Sequence, residues 1–375
     1  MSNIEKIARA IRPVTAHGTN QLVFSTNGVG TRGFLDRLIG GAFGAGLNDD
    51  IIGAYRFLAL NYQPGDHIYV FGFSRGAYTA RSLVGMIATI GLLTPQGVAK
   101  NRLESALRIY RNRPREGTNI DIARFRADTY REEVTPKIRL LGVFDTVGAL
   151  GAPGLTRKRY RFHNVELTTQ IECARQALAI DERRLTFAPC LWNTKDNTVT
   201  DVKQVWFEGV HSDIGGGYPD TAPADLTLRW MVGEAQRRGL VFDFDLFPGL
   251  DDQPLSPHDS MKPPYRVINA VKRLARPLRP KRELKRFQGD RRILAGQGDP
   301  DVTGTLWISE SAFDRWRDDT DARQQQAPNI AWWADWMDDL AARVEPIPPL
   351  APLATWQPVN AERHNDDPRY AAGMA

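Results

Sequence analysis

One stretch constrains this chain more than any other: His67-Ile68-Tyr69-Val70-Phe71-Gly72-Phe73-Ser74-Arg75-Gly76-Ala77-Tyr78-Thr79-Ala80-Arg81-Ser82-Leu83. Its first half is β-branched and aromatic and follows the turn Gln63-Pro64-Gly65-Asp66, which predicts a buried strand. Its second half sets Ala77, Ala80 and Ser82-Leu83 at helical spacing. Between them lies Gly72-x-Ser74-x-Gly76, the small-residue frame of a nucleophile elbow. In such an elbow both glycines are expected because a sharp strand-to-helix turn leaves no room for side chains. The serine is held strained with its hydroxyl exposed, and backbone N–H groups at the start of the helix can stabilise an oxyanion. The bland alternative is a glycine-bounded turn with an ordinary serine. What argues against it is the order strand, motif, helix.

A serine nucleophile needs a base to take its proton and an acid to orient that base. On parallel sheets, reactive groups collect at the carboxyl ends of strands. Two further segments read as buried strands: Ile138 to Asp145, which ends in an acid, and Val202 to Val210, which runs into His211-Ser212-Asp213-Ile214-Gly215-Gly216-Gly217-Tyr218. Ser74, Asp145 and His211 therefore stand at three strand ends, in the order used by α/β hydrolases. Of the six histidines, His17 and His364 lie in polar ends and His67 precedes its strand. His163 sits in a basic loop and His258 follows a proline turn. His211 alone follows a buried strand and precedes glycines, although a structural turn would look the same. For the acid, Asp145 has the best topology. Asp213 could orient His211 only if the loop folded back. Asp181 opens Asp181-Glu182-Arg183-Arg184, which reads as an ion-paired structural motif. These three acids stay open on sequence grounds.

Around these segments the spacing predicts helices over Asn3 to Ile11, Asp49 to Asn61, Leu103 to Tyr110, Leu167 to Ile180 and Leu226 to Arg237. It predicts a strand at Gln21 to Phe24 and an extended stretch at Phe187 to Trp192. Strands alternating with helices imply an α/β fold, a mainly parallel sheet with helices on both faces. Gly28-Val29-Gly30-Thr31-Arg32-Gly33 formally matches a dinucleotide fingerprint. Only Phe34 to Ile39 could be helical before the glycines of 40–46, so no pyrophosphate-binding helix follows. A glycine-rich loop near the site entrance is the expectation, with no cofactor. Beyond Asp243 the texture turns proline-rich and basic, with a tryptophan-rich stretch at Ala331 to Leu340. This suggests a catalytic domain over 1–245 and a region over 246–375 that packs on or caps it.

Length admits one large α/β domain or two small ones among 375 residues. Two cysteines, Cys173 and Cys190, offer neither a disulfide framework nor a metal cluster and read as structural thiols. Met1 to Pro13 has no continuous apolar core of a signal peptide, and the apolar run Leu83 to Leu93 is too short to span a bilayer. The expectation is a soluble cytoplasmic protein; export without a cleaved signal would leave no mark. The net charge of +5 is uneven, because Arg266 to Arg292 holds eleven Lys/Arg against Glu283 and Asp290, or +9. That patch suggests an anionic partner such as a lipid surface. Nucleic acid is not expected, since Tyr265 and Phe287 are not interleaved for base stacking and Pro277 and Pro280 break any long basic helix.

Several stretches together carry a resemblance: Gly28-Val29-Gly30-Thr31, the glycines of 40–46, Gly72 to Arg81, Val143-Phe144-Asp145-Thr146-Val147, Asp181 to Arg184, and Gly209 to Tyr218. In order, over about residues 3–245, they resemble the α/β-hydrolase domain related to the first family of type VI secretion phospholipase effectors. A fainter likeness continues to Gly304 to Ser311. The resemblance implies an α/β-hydrolase fold and a serine esterase, with phospholipase A activity and a secretion-apparatus partner in the bacterial effector branch. It implies Ser74, His211 and Asp145 as catalytic residues and the N–H of Arg75 as an oxyanion-hole donor. Two departures stand out. The helix expected before Asp181 carries Gln176 where the family has a histidine. The family also opens with a strand ending in Asp-Gly-Thr, ahead of the region matching Asn3 to Ile11. A sheet lacking that first strand, a missing second oxyanion donor and impaired activity are the corresponding expectations.

Overall fold

A computed structural model describes residues 1–26, 47–112, 120–130, 135–147, 167–185, 187–195, 199–247, 257–274, 302, 304–317 and 343–347. Among these residues six strands form one sheet in sequential order, β1 (Ile68–Phe73), β2 (Ile138–Phe144), β3 (Cys173–Ala179), β4 (Asp201–Phe207), β5 (Leu306–Ser309) and β6 (Val344–Glu345). Every neighbouring pair is parallel. Two of the six strands thus come from beyond residue 245.

Alternation along the strands sends side chains to two cores. Leu141 and Val143 of β2 face a cluster shared with α2 (Leu47–Asn61), α3 (Arg75–Ile90) and α5 (Leu103–Arg111). Leu140 and Phe144 face a second cluster with α1 (Asn3–Ala10) and α8 (Ala222–Arg237). Helices therefore cover both faces, as the strand–helix alternation implies. The other described α-helices are α4 (Pro95–Ala99), α6 (Ile120–Arg126), α7 (His211–Gly215), α9 (Pro263–Leu274) and α10 (Glu310–Arg317).

Two expectations fail. The segment Leu167 to Ile180 is not a helix: Cys173–Ala179 is a central strand with all seven residues buried. Alanine, glutamine and arginine favour helices in isolation. Here β2 and β4 hydrogen-bond on both edges and helices press on both faces, so small residues fit and local propensity is overruled. Its polar pair is satisfied inside. Arg175 reaches Glu234 and Asp201, which outweigh the burial that works against its charge. Gln176 accepts from Thr146 Oγ1 at 2.7 Å and donates to Gln204 Oε1 at 3.0 Å.

The second failure is Gln21 to Phe24, which joins no sheet. Gln21 is tied to Val241 through both amide atoms, at 2.9 and 3.0 Å, while Leu22, Val23 and Phe24 stay exposed. Phe24 stacks on Phe57 of α2 at 5.2 Å rather than entering the core. Among the described residues β1 is the outermost strand on its side. The glycine-rich loop of 28–46, the basic residues 275–292 and the tryptophan-rich stretch at 331–340 lie outside the described residues.

Candidate active site

Register places the site. Phe73 pairs with Phe144, Phe144 with Ala177 and Ala179 with Phe207, so the chain leaves β1, β2, β3 and β4 side by side at one sheet end. The ladder runs on past the strands: Ser74 N–H donates to Phe144 O at 3.0 Å, and Asp145 N–H to Ala177 O at 2.8 Å. Ser74 and Asp145 each begin the turn out of the sheet.

Both turns are strained. Ser74 has φ 56 and ψ −115, and Asp145 has φ 40; Asn101 is the one other non-glycine with positive φ among the described residues. Such conformations cost of order 1–3 kcal/mol and persist where the surroundings over-determine them. At Ser74 the overdetermination is visible. A Cβ on Gly72 would lie 2.6 Å from the backbone N and Cα of Ala77, so only glycine lets β1 and α3 meet this closely. Gly76 differs from expectation, since a Cβ there meets no described atom within 4 Å. Gly72→Ala is accordingly expected to destabilise the fold by about 3 kcal/mol or more, because the clash is with backbone that cannot rotate away. Gly76→Ala should unfold close to wild type. Thermal denaturation of the two variants checks this ordering.

The geometry joins three of the residues singled out by sequence. His211 Nε2 is 2.8 Å from Ser74 Oγ, and His211 Nδ1 is 2.5 Å from Asp145 Oδ2. Ser74 is 2% exposed and the other two are fully buried. Ser74 occupies the N-cap of α3 without using its hydroxyl as a cap, which leaves Oγ to the imidazole. Asp145 Oδ1 accepts from Ala179 N–H at 3.3 Å, fixing the carboxylate from the neighbouring strand. Arg75 is the first residue of α3, so its N–H opens the helix beside Oγ.

The other acids go elsewhere. Asp213 Oδ2 accepts from the backbone N–H of Val210 at 2.9 Å and of His258 at 3.0 Å, and its Oδ1 lies 2.7 Å from His258 Nδ1. It braces the histidine turn and fastens the segment ahead of α9. Asp181 Oδ2 accepts from Gly209 N–H at 2.7 Å and from Arg315 at 3.1 Å. Burial raises its carboxyl above the ordinary range, although Arg315 acts in the opposite sense. The thiols stay apart from this chemistry: burial pushes Cys173 up to about 11, and both cysteines are free. Among the described residues no group of three His, Cys, Asp or Glu could hold a metal.

Some contributors were not singled out by the sequence. Phe73 and Phe187 wall the imidazole at centroid distances of 4.7 and 4.9 Å. The segment from Phe187 to Trp192, expected to be extended, is a brace. Cys190 N–H donates to Thr146 O at 2.9 Å, and Arg81 of α3 donates to Cys190 O at 2.6 Å while stacking 4.8 Å from Trp192. Phe73 could have been foreseen as the residue before the nucleophile. Nothing in its neighbours marks Phe187.

The family model of the type VI secretion phospholipase effector Tle1-like catalytic domain matches residues 1–234. An uncharacterized protein of Saccharomyces cerevisiae, YEL023C, is 32% identical over 189 residues, which are 45% of this chain and 27% of that protein. The solved structure of the Tle1 effector bound to the VgrG spike from the type VI secretion system is 25% identical. It covers 58% of this chain and 40% of that chain, with a TM-score of 0.33. The chain therefore spans about a quarter of the yeast relative's length and two fifths of the solved effector's.

Proposed function

The chain belongs to the Tle1-like phospholipase effector family through its catalytic-domain match, and from that premise we propose that it is a serine hydrolase of acyl esters, with phospholipids as the substrate class. The observation that carries the reading is the relay from Asp145 Oδ2 through both nitrogens of His211 to Ser74 Oγ, at 2.5 and 2.8 Å. With Nδ1–H donated to Asp145, Nε2 is left as the acceptor for the serine proton. As Oγ attacks the ester carbonyl, that proton passes to Nε2. The imidazolium is then stabilised by a carboxylate already in place. The carbonyl oxygen becomes an oxyanion, for which Arg75 N–H is the assigned donor. Collapse of the tetrahedral species expels the alcohol, which takes the proton from Nε2 and leaves an acyl group on Ser74. Water activated by the same nitrogen hydrolyses it.

Reaction of the folded protein with a fluorophosphonate, followed by mass mapping, tests this reading. An adduct on Ser74 is expected, because phosphonylation needs an activated hydroxyl. A folded protein that forms no adduct would overturn the assignment. A panel of phospholipids and simple esters then defines the substrate.

The partner readings belong with this one. The charge of +9 over 266–292 begins on α9, where Arg266 and Val267 are exposed, and it suits an anionic lipid surface. A basic residue near such a surface is worth about 1 kcal/mol, so engaging three of them gives roughly a 100-fold gain in binding. Cosedimentation with anionic vesicles is expected and should fall steeply with added salt; binding indifferent to salt contradicts the electrostatic reading. A protein in which this surface mattered and Ser74 did not would bind vesicles without fluorophosphonate labelling. That is the alternative reading, a catalytically weak scaffold. A secretion-apparatus partner, and export from the cytoplasm without a cleaved signal, are proposed by analogy with the type VI secretion effector family. Among the described residues no helix is long and apolar enough to cross a membrane.

A further inference from the structure

The turn that carries His211 is permissive by construction. Gly209 has φ 106, and the four residues from Glu208 to His211 lead from β4 back towards β2. An imidazole at the end of such a turn is only as well placed as its own backbone. Three successive N–H groups are pinned by three different buried carboxylates: Gly209 by Asp181 at 2.7 Å, Val210 by Asp213 at 2.9 Å and His211 by Glu182 Oε2 at 3.2 Å.

Glu182 differs from the other two because it is also linked to the ring, through Arg184 and Phe187. It is 1% exposed. Its Oε1 accepts from the Arg184 N–H at 2.8 Å, Arg184 Nε at 2.9 Å and Ser260 Oγ at 3.0 Å. Its Oε2 accepts from Arg184 Nη2 at 2.7 Å as well as from His211. The guanidinium so held lies 3.6 Å from the centroid of Phe187. Phe187 meets the imidazole edge-on, at 77°. Phe73, the other wall, is fixed by β1 itself, so Phe187 is the wall that needs a support. A carboxylate present only to neutralise Arg184 would need no bond to the residue that bears the base.

We propose that Glu182 is a positioning residue for His211. It holds the imidazole between Ser74 and Asp145 through the histidine's own N–H and through the Arg184–Phe187 stack. The inference rests on the serine-hydrolase reading for its kinetic consequence, but the geometry it names exists without it. Asp181-Glu182-Arg183-Arg184 then acts as a brace for the catalytic base rather than as an isolated ion-paired turn. The same carboxylate binds Ser260, and Asn269 of α9 accepts from Leu185 N–H at 3.1 Å and donates to Arg183 O at 2.9 Å. The basic helix is thereby fastened to the same support.

The test compares wild type, Glu182→Gln and Glu182→Ala by the rate of fluorophosphonate labelling at Ser74 and by the low-field proton resonance of His211 Nδ1–H. That resonance is identified by its loss in Asp145→Ala. Displacing a catalytic group by about 1 Å costs on the order of 100-fold, so labelling by Glu182→Ala should slow by that factor, with kcat falling and KM nearly unchanged. Glu182→Gln keeps an acceptor for the histidine N–H but releases the guanidinium, so it should slow by roughly tenfold and shift the resonance. If Glu182→Ala does not fold, the glutamine variant carries the test. A folded glutamine variant with wild-type labelling and an unmoved resonance overturns the proposal. If wild type is never labelled, the hydrolase reading fails instead, and the resonance alone decides: unmoved, it overturns the positioning role too. A wild-type spectrum without the resonance removes the His211–Asp145 bond on which the proposal stands.

Discussion

Replacing Ser74 by alanine is expected to lower ester hydrolysis by roughly 10⁴-fold or more while leaving the unfolding midpoint nearly unchanged. Nucleophile and base act as a unit, so an imidazole with no hydroxyl to deprotonate contributes almost nothing. What survives comes from binding and from the oxyanion donor. The fold should tolerate the change. Ser74 caps no backbone group with its side chain, and the substitution removes one contact to His211 while keeping a Cβ at the same backbone conformation. The strain at φ 56 is inherited, not added. Hydrolysis and fluorophosphonate labelling should disappear together, with circular dichroism preserved. Activity retained by a clean Ser74→Ala preparation would remove the serine mechanism altogether.

Asp145→Asn is expected to cost about as much, on the order of 10⁴-fold in kcat, whereas Asp213→Asn should cost less than about tenfold. The amide at 145 is isosteric, yet its nitrogen can present a donor to Nδ1. The imidazole then carries its proton on Nε2, pointing at Ser74, and cannot act as a base. Asp213 lies at neither ring nitrogen of His211; its oxygens serve Val210 N–H and His258. An amide there keeps an acceptor for the turn and weakens the link to His258, a stability effect of about 1 kcal/mol. Steady-state kinetics of the two variants, beside their melting curves, separates a loss of chemistry from a loss of fold. The reverse order would mean that the orienting acid has been misidentified.

The fold and the candidate site were legible in the sequence to different depths. Ile68 to Phe73 and Ile138 to Phe144 announce themselves as strands because buried parallel strands are rich in apolar, β-branched or aromatic residues, and β4 does so through Val202, Val205, Trp206 and Phe207. The elbow glycine at 72 is demanded by a steric fact local to six residues. From these follow the parallel α/β layout and the presence of Ser74, Asp145 and His211 at strand ends. Chain order and local sterics suffice for that much.

Tertiary structure decided what depends on distant neighbours. Cys173 to Ala179 is a strand because β2 and β4 offer it two edges, although its own composition favours a helix. Gln21 to Phe24 has strand-like residues and found no edge, so it stayed outside the sheet. Strand topology favoured Asp145 over Asp213 and Asp181 but did not show which of them lies beside His211. Asp213 is two residues from His211 and Asp145 is sixty-six away, yet Asp145 is the one at the ring. A turn of a few residues points its side chains where backbone hydrogen bonds dictate, and two of the three carboxylates that take those bonds, Asp181 and Glu182, lie 28 and 29 residues back along the chain. The sequence by itself determined which groups the site could use; the sheet register and the braced turn decided which of them meet.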